Sequence, residues 1–100
     1  MRYIFNTAGE YVAFLSGDYL FSPQVEWIGF IQNGNEVYNP NGEFIGYVSA
    51  DDRIVFNRSE ARRARLMRPL RPMRPLRPLR PLRRLRMPRL PYPWVDIFDQ

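Results

Sequence analysis

The sequence contains no histidine and no cysteine among its 100 residues. Their absence removes the most common general base, the thiolate nucleophile, disulfide bonds and most transition-metal sites. Lysine is absent too, so all fifteen basic residues are arginines, whose planar guanidinium favours bidentate and stacking contacts. An enzyme is therefore the least supported class of protein. We predict that the protein is not an enzyme and has no cofactor and no metal site.

Long apolar runs are also lacking. No stretch approaches the roughly 18 apolar residues that a membrane-spanning helix needs, and the first residues, 1–6, lack the apolar region of a secretory signal. These two observations favour a cytoplasmic protein.

Each part of the chain has few charges of one sign: positive charges are few in residues 1–57, and negative charges are few in residues 58–91. Residues 1–57 contain two arginines against seven carboxylates, a net charge of −5, whereas residues 58–91 contain thirteen arginines against one glutamate, a net charge of +12. The overall charge of +5 therefore conceals an acidic body and a basic segment. We expect attraction between the two, or between the basic segment and an anionic partner.

Arg-Pro-Leu triplets occupy the basic segment from Arg68 to about Leu85. A three-residue period with proline in each triplet and no glycine predicts an extended polyproline II arm over residues 68–91, roughly 60 Å long at about 3.1 Å per residue. Each residue type then forms a stripe along the arm. One stripe is basic, with Arg68, Arg71, Arg74, Arg77, Arg80, Arg83, Arg86 and Arg89. A second is apolar, with Leu70, Met73, Leu76, Leu79, Leu82 and Leu85.

A repeat occupies the first 57 residues. The pattern glutamate, aromatic, β-branched, small, aromatic, aliphatic occurs at 10–15 and, with minor variation, at 26–31 and 43–48. A turn and a second short strand follow each copy, so the pattern predicts a chain of β-hairpins. Residues 4–10 match residues 37–43, which begin with the second strand of a hairpin. The first strand of this additional hairpin is missing before residue 4, and we expect residues 94–98 to supply it.

We therefore predict an all-β fold: a pseudo-four-fold ring of short hairpins closed by pairing of the N- and C-terminal strands. The predicted organisation is a hairpin body at 1–57, a short helix at 58–67 capped by Ser59, the arm at 68–91, and a closing strand within 92–100.

The turns of the form Asn-x-x-Gly-Glu-aromatic and the small residues at mid-strand, Ala13, Gly29 and Gly46, resemble those of the four-fold β-flower family. The resemblance covers residues 3–57 and extends to 94–98. It implies a shallow ring of hairpins around an apolar centre, in a family without an established activity, and it leaves the role of the arm open.

Some carboxylates and aromatics in the body could serve a site, but each has a simpler interpretation. Asp51 and Asp52 are best explained as a solvated turn, and the recurring Glu10, Glu26 and Glu43 as strand-entry residues bonding a turn. Most of the aromatics are explained as the core of a small β domain, although some could line a pocket or stack on bases. They are Tyr11, Phe14, Trp27, Phe30, Phe44 and Tyr47.

Three functions remain open for the arm. It could bind a polyanion, either nucleic acid or anionic lipid, with Arg68, Arg71, Arg74, Arg77 and Arg80 as the anion-binding residues. It could be structural, with Leu76, Leu79 and Leu82 packing on the body or on a neighbouring subunit of a homo-oligomer. It could also be a ligand for domains that read proline motifs. We expect a binding or assembly module and identify no small-molecule substrate.

Overall fold

The computed structural model describes residues 1–98, and within them the chain forms eight short strands in one antiparallel sheet. Neighbours in the sheet follow the order of the chain, so each strand pairs with the next. The strands are β1 (Arg2–Phe5), β2 (Tyr11–Ser16), β3 (Tyr19–Phe21), β4 (Trp27–Gln32), β5 (Glu36–Tyr38), β6 (Phe44–Val48), β7 (Ile54–Asn57) and β8 (Trp94–Asp96). Within the described residues no helix is long and apolar enough to cross a membrane.

The predicted repeat is present as three hairpins, β2–β3, β4–β5 and β6–β7. Consecutive hairpins are joined at equivalent points: Leu20 pairs with Gly29 and Val37 with Gly46, and a bulge follows each pair. A Cβ on Gly29 would lie 2.6 Å from the carbonyl oxygen of Tyr38, and one on Gly46 2.6 Å from that of Val55. The small mid-strand residue is required because a neighbouring strand passes so close.

Equivalent five-residue turns connect the strands at 6–10, 22–26 and 39–43. In each, the amide of the first residue donates to the carbonyl of the fifth, at 2.9 Å for Asn6 to Glu10, and the amide of the fourth donates back to the first. The fourth residue has a left-handed φ in all three turns, and glycine fills the position at 6–10 and 39–43. We call these three turns the turn rim.

The sheet buries apolar side chains on both sides. Aliphatic residues from β1, β3, β5 and β7 meet at the centre, where Ile4, Leu20, Val37 and Ile54 are fully buried. A second, aromatic cluster contains Phe5, Tyr11, Phe14, Phe21 and Val25. The centre of the ring is thus filled with side chains.

The structure contradicts one sequence prediction and leaves another unconfirmed. The helix predicted at 58–67 is wrong: these residues run as turn and extended chain. The last strand also differs, because β8 pairs with β7, matching Val55 to Asp96, and shares no ladder with β1 inside residues 1–98. Ile97 and Phe98 form a turn, and the end of the predicted closing strand, 99–100, lies outside the described residues. Closure of the ring by paired terminal strands therefore stays a prediction.

Candidate interaction surface

The segment between β7 and β8, residues 58–93, lies against the body and is called the excursion. It passes the turn rim in reverse order: the Leu66 amide donates to Gly42 at 2.8 Å, Arg74 Nη2 to Gln24 at 3.1 Å, and the Arg84 amide to Gly9 at 2.9 Å. The excursion thus passes the turns of the three repeats in the reverse of their chain order and returns to β7, where Trp94 pairs with Asn57. The whole molecule measures 37 × 35 × 21 Å. A straight extension of about 60 Å does not fit these dimensions, so the arm curves around the body.

Burial along the excursion has a period of three. Every third residue from 63 to 90 is half-buried except Arg84, and the residues between them are exposed. We call this the inner edge; its members are Arg63, Leu66, Pro69, Pro72, Pro75, Pro78, Pro81, Arg84, Met87 and Leu90. The prolines therefore face the body. Three residues per turn is also the repeat of polyproline II.

Prolines on the inner edge reduce the number of amide N–H groups that face the body and need an acceptor. Three of the five inner-edge residues that have an N–H donate it to the body: Leu66 to Gly42, Arg84 to Gly9, and Met87 to Thr7 at 2.8 Å. Between Leu66 and Arg84 every inner-edge residue is proline, which has no N–H. The arm thus crosses the body without burying amide donors that would need acceptors.

Two glycines of the turn rim bring the excursion into backbone contact with the body. A Cβ on Gly42 would overlap the carbonyl oxygen of Leu66, and a Cβ on Gly9 would overlap that of Arg84. Both glycines also have a left-handed φ, of 85° and 88°. Glycine is needed here for two reasons, its backbone conformation and its lack of a side chain.

Arginines on the inner edge stack on aromatic rings at the two ends of the arm. The guanidinium carbon of Arg63 lies 4.1 Å from the centre of the Phe44 ring, and that of Arg84 lies 4.1 Å from the centre of the Phe5 ring. Arg84 also forms an ion pair of 2.8 Å with Asp52. These contacts combine cation–π attraction with charge pairing and fasten both ends of the arm.

Arg63 is the centre of a cluster of charges. It pairs with Glu60 at 2.9 Å and with Glu36 at 3.1 Å, while the Tyr47 hydroxyl donates to Glu60 at 2.7 Å. The hydrogen bond from Tyr47, and then those from Arg63, lower the pKa of Glu60. Hydrogen bonds from Asn33 and Arg63 lower the pKa of Glu36 as well. Both carboxylates are thus held ionised beside Arg63.

The five arginines predicted to bind anions are all exposed. Arg74 bonds to Gln24, and Arg80 lies 5.6 Å from the centre of the Tyr11 ring. Arg68, Arg71 and Arg77 form no ion pair or hydrogen bond with any residue of the described chain. The ion pairs of the excursion fall at Arg63, Arg65 and Arg84, outside this run of five.

The leucine stripe faces away from the body. Leu76, Leu79 and Leu82 are 93%, 88% and 91% exposed, and the other members, with Met67 in the same phase, are equally open. The stripe therefore does not pack on the body of its own chain, as one form of the structural hypothesis required. What holds the arm to the body is the inner edge.

A polar network joins the two ends of the chain. Asp96 is buried, and one of its carboxylate oxygens accepts from the Thr7 amide at 2.8 Å and from the Thr7 hydroxyl at 2.9 Å. The buried Arg53 donates to the same hydroxyl at 3.2 Å and to the Pro88 carbonyl at 2.9 Å. By its place in the repeat, Asp96 corresponds to Ala13, Gly29 and Gly46. No pattern in the sequence predicted this role, because an aspartate in a short strand is typically exposed.

Glu10 and Glu43 bond within their turns as predicted, whereas Asp51 and Asp52 form ion pairs and are not a purely solvated turn. Glu10 accepts from the Asn6 side-chain amide at 3.0 Å, and Glu43 from that of Asn39 at 3.1 Å. Asp51 pairs with Arg53 and Asp52 with Arg2, each at 2.5 Å. No group of three or more carboxylates that could hold a metal occurs within residues 1–98. These side chains fix turns and ends of strands.

Fold and surface together define a class: a curled sheet of β-hairpin repeats with a proline-rich excursion along its turn rim. Comparison with protein families agrees, because the model described as "4-fold beta flower protein" matches residues 2–95. The chain belongs to this family, as the turn and mid-strand residues indicated. That description states an architecture and no activity. Searches of curated proteins and of solved structures gave no match.

Proposed function

We propose that this protein is a non-enzymatic binding module that presents a polyproline II arm, stiffened against a small β-flower, to a partner rich in anionic groups. The single observation that carries the proposal is the run Arg68, Arg71 and Arg77, exposed and without an ion pair in the described chain. The guanidinium groups lie about 9 Å apart on a held backbone, so binding orders only their side chains and not the chain that carries them. Phosphate is their most suitable partner, because it accepts two parallel hydrogen bonds from one arginine.

The three-residue burial period supports the polyproline II backbone. It extends through the prolines to Leu66 on one side and to Met87 and Leu90 on the other. An extended helix with three residues per turn places all of these on one edge.

The inner edge also weighs against the arm as a ligand for proline-reading domains. Such domains dock prolines into aromatic grooves. Here the prolines already face the body of their own chain, and Pro72 lines a pocket of about 350 Å³ with Trp27 and Val25. An external reader would first have to detach the arm.

Binding of a labelled single-stranded oligonucleotide and of anionic vesicles, titrated across salt, tests the proposal. The variant changes Arg68, Arg71, Arg74, Arg77 and Arg80 to glutamine. The matched control changes Arg2 and Arg58, two arginines outside the arm, to glutamine. We expect binding with a steep dependence on salt, lost in the arm variant and retained in the control. Absence of binding to both ligands at physiological salt would refute a polyanion-binding role.

A further inference from the structure

We propose that the anionic partner is a lipid bilayer, with the leucine stripe entering the interface while the arginine stripe binds headgroup phosphates. This inference rests on the proposed function and narrows it to one partner. Its basis is the juxtaposition of two exposed stripes on one held backbone. Bilayers are the anionic partner that also accepts apolar side chains.

The leucine stripe is the first argument. Seven large apolar side chains, all on the arm side, are about nine-tenths exposed, whereas the body exposes only one in the described residues, Met1. They are Met67, Leu70, Met73, Leu76, Leu79, Leu82 and Leu85. A contiguous exposed apolar stripe marks an interaction surface. Nucleic acid would use the arginines and leave these residues in water.

Charge is the second argument, and it disfavours a second copy of the chain. Joining two copies through their leucine stripes would bring two arginine stripes together. Four of the carboxylates that could offset them, Glu36, Glu43, Glu60 and Asp52, already pair with arginines of their own excursion. A bilayer containing anionic lipid supplies negative charge and apolar volume at the same surface.

The constraint on the backbone is the third argument. The arm is fastened at Leu66 and at Arg84, and its prolines face the body. Arginine and leucine side chains between these points are therefore directed outward before any partner arrives. A free arm would have to order itself on the membrane, at an entropic cost that this arrangement reduces.

The test uses the full chain with phosphatidylcholine vesicles containing about one-third phosphatidylglycerol, pure phosphatidylcholine vesicles, and a single-stranded oligonucleotide. Leu76, Leu79 and Leu82 are changed to serine in one variant, and the five arginines of the previous experiment to glutamine in another. Leu20→Ser, in the packed centre, shows what loss of folding looks like, and melting curves exclude that cause for the surface variants.

We expect the intact protein to bind anionic vesicles and to ignore neutral ones. The leucine variant should bind anionic vesicles at least about tenfold more weakly while keeping its affinity for the oligonucleotide. The arginine variant should lose both ligands. Equal vesicle binding by the leucine variant and the intact protein would overturn the inference.

Other outcomes separate this inference from the proposed function. Oligonucleotide binding without vesicle binding would overturn the bilayer as partner and leave a polyanion-binding module. If the intact protein sediments as a dimer and the leucine variant as a monomer, a second copy covers the leucine stripe. That outcome would also overturn the inference of a bilayer partner. Binding to neither ligand would remove the proposed function itself.

Discussion

Gly9 and Gly42 show at the scale of single residues how the body holds its excursion. Each accepts a hydrogen bond from an amide of the excursion and has a carbonyl oxygen of the same residue packed against its Cα. Turn chemistry predicted these glycines from the sequence. It did not predict the contact between these glycines and the excursion, because a glycine in a turn that touches no other part of the chain can have the same φ.

Gly34 provides that comparison. Its φ is 85°, equal to that of Gly42, but nothing lies within 4 Å of the position of a Cβ. Gly34→Ala should therefore cost only the strain of a left-handed alanine, roughly 1–2 kcal/mol. Gly42→Ala should cost at least about 1 kcal/mol more because of overlap with Leu66. Urea denaturation measures both values, and equal losses would contradict the contact.

The carboxylate of Glu60 gives a prediction for pH. Its pKa in the folded protein is lowered, first by the hydrogen bond from Tyr47 and then by Arg63. The resulting stability is present above the ordinary carboxyl pKa of 4.5 and is lost as the pH falls through the lower folded value. Tyr47→Phe should thus destabilise the protein at about pH 6 and much less at about pH 3.

Denaturant unfolding at the two pH values measures this difference. Tyr92→Phe is the control, since Tyr92 is 82% exposed and its hydroxyl forms no hydrogen bond within residues 1–98. A destabilisation by Tyr47→Phe that is the same at both pH values would show that the Glu60 carboxylate is not responsible.

At the scale of elements, the attachment of the arm to the body depends on which of its three edges faces inward. The sequence defines the three stripes but leaves their orientation open, because any edge of a three-residue helix can face a neighbour. The structure places proline inward, where the missing N–H removes a need for acceptors. The expectation that the leucine edge packs on its own body overlooked this constraint.

Substitutions on two edges test the orientation. Changing Pro72, Pro75 and Pro78 to alanine should lower the free energy of unfolding by about 1–3 kcal/mol, because the unfolded chain gains freedom and new amides point at the body. Changing Leu76, Leu79 and Leu82 to serine should leave it within about 0.5 kcal/mol for each residue. The reverse order would mean that the leucine edge faces inward.

The short segment before the arm shows why the helix prediction was wrong. Ser59 and the residues after it have the composition of a capped helix, and local propensity favoured one. Tertiary contacts outweigh it: Glu60 and Arg63 pair with the body, and the Leu66 amide must reach Gly42. An extended chain covers that distance with fewer residues than a helix, which rises only about 1.5 Å per residue.

At the scale of the whole molecule, the join between the chain ends is the least regular part of the ring. The other repeats meet through backbone ladders, but here β8 and the turn after β1 are linked through the side chains of Asp96, Thr7 and Arg53. Asp96 occupies the position that glycine fills at Gly29 and Gly46, and its carboxylate bonds to Thr7.

Asp96→Ala should therefore destabilise the protein by about 2–3 kcal/mol, since it leaves the buried amide and hydroxyl of Thr7 without their acceptor. Asp18→Ala, in an exposed hairpin loop, is the control and should change stability by less than about 0.5 kcal/mol. If the two variants unfold at the same denaturant concentration, the network does not hold the ends together.

The sequence by itself determined the hairpin repeats, the equivalent turns and the three stripes, because each follows from local rules: alternation in strands, left-handed residues in turns and the fixed φ of proline. Tertiary structure alone decided how the excursion travels around the ring, which stripe it buries, and how Asp96 joins the ends. These features depend on close approach between residues distant in the chain. The local sequence pattern does not show which backbone oxygen accepts from a distant amide. The Gly42 oxygen, for example, accepts from the amide of Leu66, 24 residues away.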